Sequence, residues 1–77
     1  MTRVGIIGLG TMGRQHIDAY RQMPDVEVAA VYDHHSDRAV AFAQEYGVSV
    51  AGSLDELLNR CEIIDICTPT YRHAEYA

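Results

Sequence analysis

VGIIGLGTMG, at residues 4–13, joins a short apolar run to a glycine-rich loop. The apolar run at residues 4–7 is bounded by glycine, which is typical of a strand buried on both faces of a parallel sheet. Helical spacing of apolar residues begins after the loop, so the stretch predicts a strand, a tight turn and a helix. In such a turn Gly8 allows the sharp bend, Gly10 allows a ligand to approach the backbone, and Gly13 allows the helix to pack closely on the sheet.

The start of this helix fits a pyrophosphate group. The N–H groups around Thr11 and Met12, together with the helix dipole, favour a negative charge without the help of a lysine. The GK[ST] pattern of phosphate-binding ATPase loops is absent from the sequence, which argues against an ATPase. Asp33 follows the last glycine by about 20 residues, at the end of the next predicted strand, where a carboxylate accepts hydrogen bonds from an adenosine ribose. The pattern predicts a dinucleotide-binding site.

Charged residues near the ribose position bear on the choice of cofactor. The carboxylate of Asp33 repels the 2′-phosphate of NADP, so NAD is the expected cofactor and NADP the less expected one. Arg38 is expected to stack on the adenine, and contact with that phosphate is the less expected alternative. An alternative interpretation is that the glycines form an ordinary turn and that Asp33 only begins a loop. The complete order of strand, loop, helix, strand and acid argues against it.

Apolar spacing and capping residues predict the next elements. The helix after the loop is predicted over residues 11–23, with an apolar face of Met12, His16, Ala19, Tyr20 and Met23. A valine-rich second strand is predicted at residues 26–32. A second helix follows, capped by Ser36 and ended by Gly47, with an apolar face of Ala39, Val40, Phe42, Ala43 and Tyr46. Residues 48–50 predict a brief third strand.

The second half of the chain continues the alternation of helix and strand. Ser53-Leu54-Asp55-Glu56 has the pattern of a capping box, so a third helix is expected from there to about Arg60. Residues 62–67 predict a fourth strand, and a last helix is expected at residues 70–77. The fold class is therefore α/β, a Rossmann-type parallel sheet of order 3-2-1-4 that stops before strand five. A complete domain of this type needs about 60 more residues.

Length and composition limit the possible classes of protein. The 77 residues, 48% of them hydrophobic, allow one small domain. The formal net charge is −5 and the basic residues form no patch, so nucleic acid is not an expected partner. No apolar run has the roughly 18 residues that span a membrane, and no signal peptide precedes the first strand, so a cytoplasmic location is expected. Cys61 and Cys67, at opposite ends of one strand, are expected to be reduced.

For the other polar residues the sequence favours a structural role over a functional one. His16 is expected to pack and form hydrogen bonds, while His34 and His35 either line the adenosine pocket or, as the preferred interpretation, form a solvated loop. Asp65 interrupts an apolar strand, which predicts a structural carboxylate bonded to backbone or helix N–H groups. Cys67 is expected to line the ligand crevice without a base nearby. Scattered histidines and distant thiols predict no metal site.

Longer stretches of the sequence resemble one enzyme family. They are VGIIGLGTMGRQH at the start, the acidic end of the second strand followed by Arg38, SLDELL at residues 53–58 and IDICTPTYRHAEYA at residues 64–77. Over essentially its whole length the chain resembles the glucose-fructose oxidoreductase and inositol dehydrogenase family, Gfo/Idh/MocA. The resemblance implies a Rossmann half followed by a larger α/β domain, and oxidation of a sugar or polyol hydroxyl with NAD(P). It also implies that Thr68 and Pro69 lie beside the nicotinamide end of the cofactor, with His73 close by.

The same resemblance limits what this chain is expected to do. The family's Glu-Lys-Pro segment, whose lysine sits at the active site, would come after Ala77, so no residue here is expected to be catalytic. The chain is expected to be the amino-terminal portion of an NAD(P)-binding domain, to lack the substrate domain and to be inactive alone. Its open sheet edge is expected to favour self-association. A non-catalytic, nucleotide-sensing module of the same fold is the alternative function that the sequence leaves open.

Overall fold

Six helices and strands make up the described part of the chain. The structure, a computed structural model, describes residues 1–67. In chain order its elements are β1 (Thr2–Ile7), α1 (Thr11–Arg21), β2 (Val26–Tyr32), α2 (Ser36–Tyr46), α3 (Leu54–Arg60) and β3 (Ile63–Ile66). The predicted second strand has these same bounds, and β3 is the predicted fourth strand. The helix predicted at residues 70–77 lies outside the described residues.

The sheet has β1 at its centre, in the order β2-β1-β3. Both neighbours run parallel to β1, as predicted. The predicted third strand is reduced to a single parallel bridge between Val50 and Val31 of β2. Because Gly52 and the cap residue Ser53 follow almost at once, the chain turns into α3 before more pairs can form. The bridge lies beside β2, so the order 3-2-1-4 holds with a third strand of one residue pair.

β1 is buried on both faces of the sheet. Its successive side chains point to opposite sides, and apolar residues pack against each side. Ile6 is 0% exposed and packs in the same apolar cluster as Ile17 of α1 and Phe42 of α2. Ile7 is 2% exposed and packs in a second cluster with Leu57 of α3. Helices therefore cover both faces of the sheet, which is the layered arrangement that the apolar run at residues 4–7 predicts.

The buried face of α1 differs from the predicted one. Met12 and Met23 are 51% and 45% exposed, and the helix ends at Arg21, before the second of them. Its buried residues are Gly13 and Ile17. A close contact between Gly13 and the preceding loop turns this side of the helix toward the sheet, and Ile17, one turn later, faces the same way. Apolar character alone did not reveal that rotation.

Gly47 ends α2 as predicted, with a φ of 67° in the left-handed region that favours glycine. The start of α2 differs from the prediction, because its N-cap is His35 rather than Ser36 and no side chain caps it. Phe42 is buried on the predicted face, whereas Val40 is 50% exposed. In the described residues, no helix has the length and apolar character needed to cross a membrane.

α3 begins with the predicted Ser53 cap, and the returning bond from the Glu56 side chain reaches one residue further back than a standard capping box has it. The Ser53 hydroxyl oxygen accepts a hydrogen bond from the Glu56 N–H at 3.1 Å. The Glu56 carboxylate in turn accepts one from the Gly52 N–H at 3.2 Å. Two N–H groups near the start of the helix are thus satisfied, which explains why a helix of only 7 residues forms here.

Candidate dinucleotide-binding site

The loop between β1 and α1 leaves the start of the helix open to an anion. Gly8 has a φ of 91°, and its N–H donates to the carbonyl of Tyr32 at 3.0 Å, so the chain turns sharply at the end of the strand. Gly10 is the N-cap of α1, where no side chain forms a capping hydrogen bond and the first turn holds no acidic residue. The N–H groups of Thr11 and Met12 have no partner within the helix. Together with the helix dipole they favour a negatively charged ligand.

Two glycines of this loop have opposite surroundings. A Cβ on Gly13 would lie 2.4 Å from the backbone oxygen of Gly8, so only glycine fits where α1 crosses the loop. A Cβ on Gly10 would meet no described atom within 4 Å. The space beside Gly10 therefore allows a ligand to approach the backbone, as a bound pyrophosphate requires.

Asp33 holds the glycine loop against the end of β2. Its side chain is only 4% exposed. Oδ2 accepts a hydrogen bond from the Leu9 N–H at 2.8 Å, and Oδ1 accepts one from the His35 N–H at 2.7 Å. Each carboxylate oxygen has two acceptor positions, so both oxygens retain one for a further donor such as a ribose hydroxyl. The bond to Leu9 is a second role for this residue, and the sequence pattern does not predict it.

Arg38 lies beside this carboxylate in the first turn of α2. Its Nη1 is 3.8 Å from Oδ2 of Asp33, and its side chain is 53% exposed. A guanidinium so exposed contributes little to the fold through this ion pair and remains accessible to a ligand. His34 and His35 are both exposed, as expected for a solvated loop, and their rings meet edge to face at 5.7 Å.

The described candidate residues come together at the carboxyl ends of β1 and β2. The glycine loop follows β1, Asp33 and Arg38 follow β2, and the bond from Leu9 to Asp33 joins the two segments. Ligands of open α/β sheets bind at this edge of the sheet. Three further candidates, Thr68, Pro69 and His73, lie outside the described residues.

A second polar cluster joins α1 to β3. Oδ2 of Asp65 accepts a hydrogen bond from the Tyr20 hydroxyl at 2.6 Å and lies 2.5 Å from Nδ1 of His16. Sγ of Cys67 is 3.3 Å from the same nitrogen and 3.6 Å from Oδ1 of Asp65. The prediction of backbone or helix N–H partners for Asp65 is wrong, because side chains supply these bonds. The expectation that Cys67 has no base nearby is wrong as well.

Burial and the charge of Asp65 determine the pKa values in this cluster. Burial raises the pKa of Cys67 to about 12, and the negative charge of Asp65 acts in the same direction. Burial and the bond to Asp65 also raise the pKa of Tyr20 to about 12. Burial alone would raise the pKa of Asp65, but the hydrogen bonds from Tyr20 and His16 outweigh it and lower that pKa. At neutral pH the cluster contains a carboxylate, a thiol and a phenol.

We expect Asp65→Asn to reduce stability at neutral pH and to make the fold less sensitive to acid. Because its pKa is lower in the folded chain, ionised Asp65 stabilises the fold above its ordinary pKa of 3.8. That contribution is lost as the pH falls through the lowered value. Urea unfolding at about pH 7 and about pH 3 measures both effects, and the asparagine variant should lose less stability between them. An equal loss in both proteins would contradict the interpretation of Asp65 as a charged anchor.

Comparison with known proteins shows which family the chain matches. The sequence matches the model of an oxidoreductase family with an NAD-binding Rossmann fold, Gfo/Idh/MocA, over residues 2–77. Glucose-6-phosphate 3-dehydrogenase from Bacillus subtilis (strain 168) is 31% identical over 77 residues, which cover 100% of this chain and 22% of that protein. The chain spans about a quarter of the length of the curated relatives it matches.

Solved structures show the same arrangement of helices and strands. UDP-N-acetylglucosamine 3-dehydrogenase from Acidithiobacillus ferrooxidans is 35% identical with a TM-score of 0.84, over 94% of this chain and 23% of that one. GenD2 from gentamicin A biosynthesis, in complex with NAD, is 26% identical with a TM-score of 0.86, over 96% of this chain and 22% of that one. The uncapped glycine loop, the parallel sheet and the family match agree: the chain belongs to the Gfo/Idh/MocA family of oxidoreductases and has the family's NAD-binding Rossmann fold.

Proposed function

We propose that the chain binds NAD through the glycine loop and Asp33. We also propose that the protein to which it belongs is an NAD(P)-dependent oxidoreductase acting on a hydroxyl group of a sugar or polyol. The geometry of the glycine loop carries the first proposal: the start of α1 is uncapped, the space beside Gly10 is open, and Asp33 lies bonded against the same loop. This arrangement suits a ligand with a pyrophosphate and a ribose.

The residues of this chain bind and orient the cofactor, and the nicotinamide supplies the hydride chemistry when it is bound. The N–H groups of Thr11 and Met12 hold the pyrophosphate at the start of α1. Asp33 accepts hydrogen bonds from the adenosine ribose with the acceptor positions that Leu9 and His35 leave open. Arg38 lies where it can stack on the adenine. Thr68, Pro69 and His73 remain our candidates for the nicotinamide end.

The names of the similar proteins support a sugar or polyol as the substrate of the whole protein. Both glucose-6-phosphate 3-dehydrogenase and UDP-N-acetylglucosamine 3-dehydrogenase are named for sugars. Incubating the complete protein with NAD and a panel of sugars and polyols tests this, with absorbance of NADH as the readout. We expect NADH formation with at least one of them and none from the isolated chain. Turnover by the isolated chain would contradict our assignment of it as the cofactor-binding part alone.

We expect Asp33→Ala to weaken NAD binding and to narrow the preference for NAD over NADP. The substitution removes an acceptor whose charge-assisted hydrogen bonds to the ribose are worth about 1.5 to 3 kcal/mol each. It also removes the negative charge that repels a 2′-phosphate. Titration with NADH and NADPH, followed by nicotinamide fluorescence, measures both affinities. If the ratio of the two affinities stays at the wild-type value, Asp33 does not face the ribose.

A matched variant separates the charge of Asp33 from its role in the loop. Asp33→Asn keeps one carbonyl oxygen that can accept the N–H of Leu9, but it has no charge. Asp33→Asn should have a higher free energy of unfolding than Asp33→Ala. The ratio of NADH affinity to NADPH affinity should fall by a similar factor in both variants. If Asp33→Asn discriminates as well as the wild type, the charge does not select the cofactor.

A further inference from the structure

Three side chains with metal-ligating atoms meet between α1 and β3. Nδ1 of His16, a carboxylate oxygen of Asp65 and Sγ of Cys67 all lie within 4.8 Å of one another. They come from different parts of the chain, because 49 residues separate the histidine from the aspartate. None of the three belongs to the glycine loop or to the proposed ribose contact. The sequence predicts scattered ligands and no metal site, whereas the fold brings these three ligands together.

The separations of these atoms suit a tetrahedral zinc ion. Zinc lies about 2.3 Å from sulfur and about 2.0 to 2.2 Å from nitrogen or oxygen, so neighbouring ligand atoms are about 3.4 to 3.6 Å apart. Sγ of Cys67 is 3.3 Å from Nδ1 of His16 and 3.6 Å from Oδ1 of Asp65. Nδ1 is 2.5 Å from the other oxygen, Oδ2, as a hydrogen bond requires. Coordination through Oδ1 replaces that bond, and the three ligand atoms already lie within 4.8 Å of one another.

The surroundings of the cluster supply an orienting partner and an entry path. The Tyr20 hydroxyl donates to Oδ2 of Asp65 at 2.6 Å, which holds the carboxylate in place while Oδ1 remains directed toward the sulfur. The side chain of His16 is 41% exposed and that of Asp65 is 16% exposed, so an ion can enter from the solvent side of α1. Cys67 is 7% exposed and forms the buried side of the cluster.

We propose that His16, Asp65 and Cys67 bind a divalent zinc-class ion, with water as the fourth ligand. One sulfur, one imidazole nitrogen and one carboxylate oxygen are donors that zinc accepts together, whereas magnesium and calcium take oxygen ligands almost alone. Binding breaks the S–H bond of Cys67 and forms a metal–sulfur bond, and that proton leaves to the solvent. The His16 ring exchanges its proton with water so that Nε2 carries it and Nδ1 offers a lone pair to the ion. Since the ion joins α1 to β3, it should also make the fold more resistant to unfolding.

Cobalt(II) is a suitable probe because its bond to a thiolate gives a charge-transfer band in the near ultraviolet. Titration of the purified chain with Co²⁺ should give a saturable band at one ion per chain, and Zn²⁺ should displace it. Cys67→Ser and His16→Gln should each weaken binding at least tenfold. Cys61→Ser is the matched control, because it removes the other free thiol of the described residues and should leave the band unchanged. A band that persists in Cys67→Ser and disappears in Cys61→Ser would overturn the proposal.

A measurement on the wild-type chain tests the site even if a variant fails to fold. Alkylation of each cysteine by iodoacetamide, followed by mass spectrometry, reports how accessible each thiol is with and without Zn²⁺. We expect Zn²⁺ to slow alkylation of Cys67 at least tenfold and to leave that of Cys61 unchanged. Equal rates for Cys67 with and without Zn²⁺, or no saturable Co²⁺ band in the folded chain, would show that the cluster is a network of hydrogen bonds only.

Discussion

Gly13→Ala is expected to lower the free energy of unfolding by about 3 kcal/mol or more, at the upper end of the cost of overpacking. The added methyl group would lie 2.4 Å from the backbone oxygen of Gly8. A backbone oxygen cannot rotate away as a side chain can, so α1 has to move off the sheet and Ile17 loses its buried contacts. A chain of this length has a total stability of only about 4 to 12 kcal/mol, so a loss of about 3 kcal/mol removes about a quarter to three quarters of it.

Urea unfolding followed by far-ultraviolet circular dichroism measures this loss. Gly52→Ala is the matched control, because its Cβ would make only an ordinary contact of 3.5 Å with the Glu56 side chain. We expect the control to change the free energy of unfolding by no more than about 0.5 kcal/mol. If both variants unfold at the same urea concentration, the contact between α1 and the glycine loop does not limit the fold.

Gly10→Val is expected to reduce the affinity for NADH at least about tenfold, which corresponds to about 1.4 kcal/mol, while the chain stays folded. A Cβ at this position would meet no described atom within 4 Å, so the side chain enters open space and we expect the fold to accommodate it. It occupies the space through which a pyrophosphate approaches the backbone at the start of α1. Gly10→Ala should give an intermediate loss, because its single methyl group fills less of that space.

Nicotinamide fluorescence during NADH titration gives the affinities, and urea unfolding of the same samples checks the fold. At the N-cap of α1 the loss of glycine should cost about 1 kcal/mol of stability or less. Unchanged NADH affinity in a folded Gly10→Val variant would mean that the ligand does not approach this loop. A variant that unfolds instead would show that the space beside Gly10 is needed by the protein itself.

Local sequence patterns predict the parts of the fold that depend on neighbouring residues. The helix cap at Ser53, the left-handed end of α2 at Gly47 and the valine-rich strand β2 all appear as expected. Each depends on the conformation or the hydrogen bonds of residues a few positions apart. The rotation of each helix about its axis, which decides the face that is exposed, is harder to predict from the sequence. Met12 and Val40 are apolar but exposed, because helix rotation follows from packing on the sheet rather than from composition.

Long-range contacts explain what the sequence could not show about the two polar sites. Position and residue type made Asp33 a candidate ligand of the ribose, but its bond to the N–H of Leu9 depends on how the loop folds back onto β2. The signal for the second cluster was Asp65, a carboxylate in an apolar strand that needed a partner. Its partners are four residues apart on α1, at His16 and Tyr20, and only the packing of α1 against β3 brings them together.

Amide chemical shifts of the ¹⁵N-labelled chain during titration with NAD⁺ test the central claim most directly. If NAD binds through the glycine loop, the largest saturable shifts should occur at residues 8–13, with further shifts at Asp33 and His35, whose groups form one hydrogen-bonded unit with Leu9. Amides of α3 should change little, because its apolar contacts lie on the other face of the sheet from those of α1. Saturable shifts that avoid the loop, or no saturable shift in the folded chain, would contradict the account.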